Sequence, residues 1–429
     1  MTGSRRARWQ SARGLVVDLE PLRRDRDFRY LWAGQSINVI GNQITRVALP
    51  FQVYVLTGST LAVAGLVLAQ LIPLLLFTLG GGAIADALDR RRVLIATQLG
   101  LAGTSAALVV LSLQAEPTLP LYYVAAFVAS GFLAFEWPAR SSAIPRLVPP
   151  GRLRAAIALG QLAYNGGSVI GPALAGLLIG LAGVPAAFAV DVVTFGVSLA
   201  MILRLRPIPP IGEPGRPGLE AIREGLRFVR VRRLILSTFA IDLNAMIFGS
   251  PRSLYPALAL DVFKVGPVGL GLLSAAPAAG AFAAIVLSGG VTRFRRIGLG
   301  ILLAVVAWGV AIVLFGLSTS FFVLALLFLA VAGGADVVSA VFRSSVVQME
   351  TPDELRGRVA SVHILVVTSG PQVGDIEAAL VASAIGAQLS VISGGLLCLV
   401  GVLLVARAFP ELGAHVVPHS GTAVGVTGR

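Results

Sequence analysis

The chain has 429 residues, of which 56% are hydrophobic and only 13% charged, and its mean hydropathy is +0.86. Soluble domains carry about 25% charged residues, so this composition excludes an ordinary soluble protein. The net charge of +13 does not point to nucleic acid, because the bases sit in short loops between apolar stretches and not on one face of a compact domain.

Residues 1–29 form a basic tail with neither an apolar core nor a small-residue cleavage site, as expected of a cytoplasmic segment and not of a signal peptide. From Tyr30 to Phe409, apolar stretches long enough to cross about 30 Å of hydrocarbon follow one another. They predict transmembrane helices at 30–56, 61–84, 93–114, 119–143, 155–180, 184–204, 234–260, 267–290, 298–317, 321–347, 358–384 and 389–408. The expected fold class is an all-α membrane protein of twelve transmembrane helices. It has a six-helix half at 30–204, a linker at 205–233, a second half at 234–408 and a tail at 409–429.

The connecting loops alternate in charge. One set holds Arg90–Arg92, Arg146 with Arg152 and Arg154, the segment 204–233, Arg293 with Arg295 and Arg296, and Arg356 with Arg358. The other set holds a single base, Lys264. The positive-inside rule places the first set, and with it both termini, in the cytoplasm. Within the linker, Pro207–Pro217 is rich in Pro and Gly. The following stretch spaces Leu219, Ile222, Leu226 and Val229 helically among arginines, which predicts a basic amphipathic helix on the cytoplasmic membrane surface.

The halves repeat one another. Arg140-Ser-Ser near the inner end of the fourth span recurs as Arg343-Ser-Ser in the tenth, and Gly171-Pro172 in the fifth recurs as Gly370-Pro371 in the eleventh. A period near 200 residues is that of a six-helix repeat, common among secondary transporters.

Charge inside a span is costly, about 2.5–3.5 kcal/mol at the helix centre, so its placement is informative. Arg46 lies in the first span, Glu136 and Arg140 in the fourth, Asp242 and Arg252 in the seventh, and Asp336 and Arg343 in the tenth. The exceptions are Asp191 in the sixth span and Asp375 with Glu377 in the eleventh. Charge returning every third helix is expected if spans 1, 4, 7 and 10 line a water-filled cavity and spans 3, 9 and 12 face lipid. Asn38, Asn42 and Arg46 form an i, i+4, i+8 stripe on the first span, and Glu136 can pair with Arg140 at i, i+4. A structural ion pair and a substrate site both remain open for that couple. Asp242, Glu136, Asp336 and Asp375, in that order, are candidates for carrying a coupling proton, because a carboxyl alternating between wet and occluded surroundings changes its proton affinity.

No energy-converting cofactor is expected. A phosphate-cradling loop needs Gly-Lys-Ser/Thr, and the one lysine sits between Phe263 and Val265. The single cysteine, Cys398, and the scattered His363, His415 and His419 suggest neither a disulfide nor a metal site.

The loop Gly82-Ala-Ile-Ala-Asp86-Ala-Leu-Asp89-Arg90-Arg91-Arg92 resembles the loop signature of the major facilitator superfamily, with Asp86 and Arg90–Arg91 at its acidic and basic positions. Asp89 stands where a glycine is usual and Ala87 where a base is usual. The resemblance runs from about Leu22 to Phe409 and implies the two-half fold, with Asp86, Asp89, Arg90, Arg91 and Arg92 as a gating loop. Gly167-Ser-Val-Ile-Gly171-Pro172-Ala-Leu-Ala-Gly176 is similar to the family's antiporter signature, with Ala175 in place of a glycine. The segments Pro50–Thr60, Arg252–Leu260, Thr351–Arg358 and Gly374-Asp375 resemble bacterial siderophore (enterobactin) exporters and their drug-efflux relatives.

These resemblances imply a multi-pass protein of a bacterial inner membrane, working as a monomer among lipids. It would be a proton-coupled exporter of a small amphiphile, with no nucleic acid as partner. Asn38, Asn42, Arg46, Arg140, Arg252 and Arg343 are the expected substrate contacts, and the excess of arginines over acids favours anionic or zwitterionic cargo. An uptake permease or facilitator, and a non-transporting sensor or scaffold, are the alternatives.

Overall fold

The computed structural model describes residues 18–209, 219–287 and 296–416, the side chains at 78–87 and 219–222 excepted. Arg293 and Arg295 therefore lie outside the described residues, as do the side chains of Asp86, Leu219 and Ile222. The helices used below are α1 (Arg26–Thr57), α2 (Thr60–Ala87), α3 (Arg90–Ser112), α4 (Leu119–Leu147), α5 (Leu153–Leu203) and α6 (Leu219–Val231). They continue with α7 (Arg233–Phe248), α8 (Gly266–Leu287), α9 (Ile297–Leu317), α10 (Phe322–Glu350), α11 (Arg356–Ile385) and α12 (Ala387–Ala408).

Ten helical stretches among the described residues are long and apolar enough to cross a membrane. One of them, Pro150–Leu203, is 54 residues long and contains two spans, because the helix breaks at Gly183 with φ 81° and ψ 172°. The more polar α1 completes a set consistent with twelve. A backbone without water to bond to must satisfy its own N–H and C=O groups, which is why every crossing segment is helical.

Two tight turns between spans show the repeat directly. Gly183 joins spans 5 and 6, and Gly386 (φ 90°) joins α11 and α12. Arg140 and Arg343 show the same offset of 203 residues. A positive φ is open to glycine at little cost, so the same residue solves the same tight turn twice.

The chain divides into two compact units. The first comprises Met1–Gly58, Gly65–Gly218 and Val265–Ala275. One end of it is held by Phe28, Leu31, Leu94, Ala143, Leu159 and Ile202, contributed by α1, α3, α4 and both limbs of α5. The Trp32 indole donates to the Leu159 carbonyl at 2.9 Å in the same layer.

The second unit comprises Ser59–Ala64, Leu219–Lys264 and Ala276–Arg429. Here Val229 of α6 is buried with Ile235, Phe239, Val359 and Val362. Glu224 pairs with Arg358, and Gly225 lies so close to the Arg358 carbonyl that no side chain fits. Of the apolar positions read on the amphipathic helix, Val229 packs against α7 and α11 and Leu226 stays exposed. Arg223, Arg227 and Arg230 remain exposed.

Half of the ninth span is buried against its neighbours. A stripe of Leu303, Ala307, Val310, Leu314 and Leu317, at helical spacing, stays exposed on α9.

Candidate functional site

In the first unit, five polar side chains form one largely buried relay. Asn42 donates to the Asn38 side-chain oxygen at 2.7 Å, and Asn38 donates to Gln98 Oε1 at 3.1 Å. Gln98 donates to Glu136 Oε1 at 2.7 Å, and Glu136 pairs with Arg140. Asn38, Gln98, Glu136 and Arg140 are all buried. The stripe read on α1 thus meets the acid–base couple on α4 through Gln98 of α3. That amide was legible only as one more polar residue in an apolar span. Arg46, on the same stripe, is exposed and makes no ion pair with any described residue.

The second unit builds its counterpart differently. Arg343 of α10 reaches Asp242 of α7 at 2.7 Å, stands 3.9 Å from Asp336 on its own helix, and donates to Ser339 at 2.6 Å. Arg343 and Asp242 have side-chain exposures of 5% and 3%, whereas Asp336 keeps 34%. The two α10 charges therefore share one acid-rich site, as their i, i+7 spacing suggests. Asp242, without a partner on its own helix, finds one across the bundle. His363 of α11 also interacts electrostatically with Asp242 and stands edge-on to Phe239, with ring centroids 5.8 Å apart.

The two arginines have one feature in common. Each keeps a buried N–H without a hydrogen-bond partner among the described residues, Nη1 of Arg140 and Nε of Arg343. Leaving such a donor unmet costs about 1–3 kcal/mol, so both positions are poised to take an acceptor.

Arg252 and Asp375 lie at a break in the seventh span, from which Arg252 also interacts electrostatically with Asp336. α7 ends at Phe248, and the chain continues as a 3-10 turn at Arg252–Leu254, a turn at Tyr255–Ala257 and a π-helical turn at Leu258–Val262. The Asp375 carboxylate accepts from the Ser253 N–H at 2.9 Å, and the Ser253 hydroxyl donates to the Asp375 carbonyl at 2.7 Å. Trp308 donates to the Gly249 carbonyl at 2.9 Å. These contacts satisfy backbone groups that the break leaves without helical partners. Asp375 therefore caps an interrupted helix, while the Arg252 side chain stays exposed.

Of the expected gating loop, Asp86 lies outside the described side chains. Asp89 is the N-cap of α3, accepting from the Arg91 and Arg92 N–H groups at 2.8 and 3.3 Å. An aspartate suits that position, where its carboxylate meets unpaired N–H groups and the positive end of the helix dipole. Arg91 donates to the Leu203 carbonyl at 2.7 Å, at the C-terminal end of α5. The Arg90 N–H donates to the Ile208 carbonyl at 3.1 Å. The backbone of Arg92 completes the cap and its side chain is exposed. The loop thus ties the second, third and sixth spans together at one end of the first unit.

The glycines of the fifth span are packing sites. A Cβ at Gly167 would stand 2.5 Å from Val39 Cγ1, and one at Gly171 would stand 2.5 Å from Gln43 Cβ. Gly176, four positions beyond Pro172, faces Gly271 of α8, where a Cβ would come within 2.8 Å of the Gly271 Cα. In the second unit Gly374 of α11 lies against the carbonyls of Met246 and Ile247 in the same way. Small residues in membrane helices permit such backbone approach.

The profile of the transmembrane secretion effector family, within the major facilitator superfamily, matches residues 17–420. The chain belongs to this family. Its curated relatives include the enterobactin exporter EntS of Shigella boydii serotype 18 and that of Escherichia coli O81. Each is 28% identical over 398 residues, 91% of this chain and 93% of theirs. Among solved structures, a bacterial homologue of the human lysosomal transporter Spinster aligns with a TM-score of 0.71 at 17% identity, covering 90% of this chain and 97% of that one. A bacterial homologue of the iron transporter ferroportin aligns at 0.68 and 16% identity, covering 91% and 99%. The fold is thus that of the major facilitators, and the protein is a membrane-embedded transporter of small molecules.

Proposed function

We propose that this transporter is a proton-coupled exporter of anionic or zwitterionic amphiphiles, the chemical class of a catecholate siderophore, working by alternating access in a bacterial inner membrane with both termini cytoplasmic. The observation that carries the cargo class is the pair of buried arginines, Arg140 and Arg343, each with an unmet N–H. A carboxylate or catecholate oxygen would satisfy them, and a lipophilic cation would not. The secretion family and the relatives named as enterobactin exporters support the outward direction. Glu136, Asp242 and Asp336 sit beside those arginines, so cargo and proton would compete for the same charges. Asp375 is the weaker coupling candidate, since its carboxylate is engaged in capping the broken seventh span.

The test is uptake into inverted vesicles with an imposed pH gradient, using a catecholate siderophore, an anionic detergent-like dye and cationic dyes. We expect gradient-driven accumulation of the first two. The amide variants Glu136→Gln, Asp242→Asn and Asp336→Asn should include at least one that loses uphill transport while retaining downhill exchange. Competition by cationic dyes alone would exclude the cargo class. Wild-type accumulation in every amide variant would exclude coupling through these acids.

A further inference from the structure

Asp191 lies outside every arrangement described so far. It sits in the second limb of α5, eight residues past the Gly183 break, which is about 12 Å of helical rise into the membrane. Only 1% of its surface is exposed. Its carboxylate is surrounded by hydroxyls from three helices. Thr45 of α1 and Ser105 of α3 donate to one carboxylate oxygen at 2.7 and 2.8 Å, and Thr194 lies 3.4 Å from the other while donating to the Asp191 carbonyl at 2.8 Å.

The cluster is tightly enclosed. A Cβ on Gly41 of α1 would overlap both the Thr194 hydroxyl and the Asp191 carboxylate, so the α1 backbone lies directly over it. No base among the described residues pairs with Asp191. Glu136, an acid whose own charge is met by Arg140, interacts with Asp191 electrostatically. Arg46, next to Thr45 in sequence, is exposed and makes no ion pair with any described residue. A carboxylate held at membrane depth without a counter-charge is unfavourable, yet the site offers oxygen atoms and no nitrogen.

We infer that the Asp191 cluster is a binding site for a small monovalent cation, a proton or a sodium ion, coordinated by Asp191, Thr45, Ser105 and Thr194. The three hydroxyls suit either occupant, because each can rotate to donate to a carboxylate or turn a lone pair toward a hard cation. The site is separate from the Arg140 and Arg343 clusters, and its occupancy does not depend on which cargo is moved.

The experiment measures thermal unfolding of the purified full-length protein, so its outcome is independent of transport. Wild type, Asp191→Asn, Thr45→Val and Ser105→Ala are compared across sodium concentrations, with potassium and N-methylglucamine as controls, in mildly alkaline and mildly acidic buffer. A ligand that binds only the folded state raises the melting temperature with the logarithm of its concentration. If sodium is the occupant, the wild type is stabilised by sodium alone, Asp191→Asn does not respond, and the two hydroxyl variants need more sodium. If a proton is the occupant, sodium has no effect, and the wild type gains stability on acidification by an amount that Asp191→Asn lacks. Should Asp191→Asn fail to fold, the hydroxyl variants decide, because each removes one oxygen and leaves the carboxyl in place. Sodium and pH responses in the variants indistinguishable from those of the wild type would overturn the assignment.

Discussion

The pairing of Arg343 with two unequal acids gives a prediction that can be ranked from the coordinates. Asp242 is 2.7 Å away and 3% exposed, and Asp336 is 3.9 Å away and 34% exposed. At an effective dielectric near 20, the gross attractions are about 6 and about 4 kcal/mol before desolvation. Solvent screens the second much further. Removing one partner of a buried pair leaves an uncompensated charge, at a cost of about 3–5 kcal/mol. Asp336 remains to offset part of that cost, so Asp242→Asn should fall at the lower end of the range. Asp336→Asn leaves the buried pair intact and should cost about 1 kcal/mol or less, as partly exposed pairs do. Replacing Asp242 and Arg343 together by apolar residues should restore much of what Asp242→Asn loses, because the buried pair is then gone as a whole and Asp336, 34% exposed, keeps solvent around its charge. Denaturant unfolding in mild detergent, followed by tryptophan fluorescence, measures all four proteins. An equal or larger loss for Asp336→Asn, or a double variant less stable than Asp242→Asn, would refute this account of the site.

Two further outcomes follow from packing and topology. Gly374→Ala places a methyl group on the Met246 and Ile247 carbonyls and should destabilise by about 1–3 kcal/mol, whereas Gly160→Ala meets open space within a helix and should be neutral or gain about 0.5–1 kcal/mol in the same unfolding assay. On a Cys398→Ser background, cysteines at Ser320 and Asp353 should label from opposite sides of the membrane, Ser320 from outside. Both positions are exposed, whereas the nearby Ser318 is buried with its hydroxyl bonded to the Leu314 carbonyl. Labelling of Asp353→Cys in intact cells by an impermeant reagent would reverse the orientation.

What the sequence determined by itself is set by solvent and by repetition. Hydrophobic length fixes the spans, because lipid cannot hydrogen-bond a backbone, and loop arginines fix the expected sidedness. The offset shared by Arg140 with Arg343 is the offset that places Gly183 and Gly386 at equivalent turns, so the six-helix repeat was legible in short motifs. Same-helix relations were legible too, since Glu136–Arg140 and Asp336–Arg343 depend only on helical spacing. Partners on different helices were not. Nothing in the local sequence links Asp242 to Arg343, 101 positions away, or brings Gln98 between Asn38 and Glu136. Asp191 read as an exception to the pattern of charge until Thr45 and Ser105 were placed against it from two other helices. Asp89, at the signature's glycine position, acquired a role as the cap of α3. The amphipathic stretch of the linker carried an apolar face in its spacing, but that Val229 packs against α7 and α11 while Leu226 stays exposed followed only from the tertiary structure. In each case a side chain's chemistry was visible in the sequence, but its neighbours were set by helix packing between residues far apart in the chain.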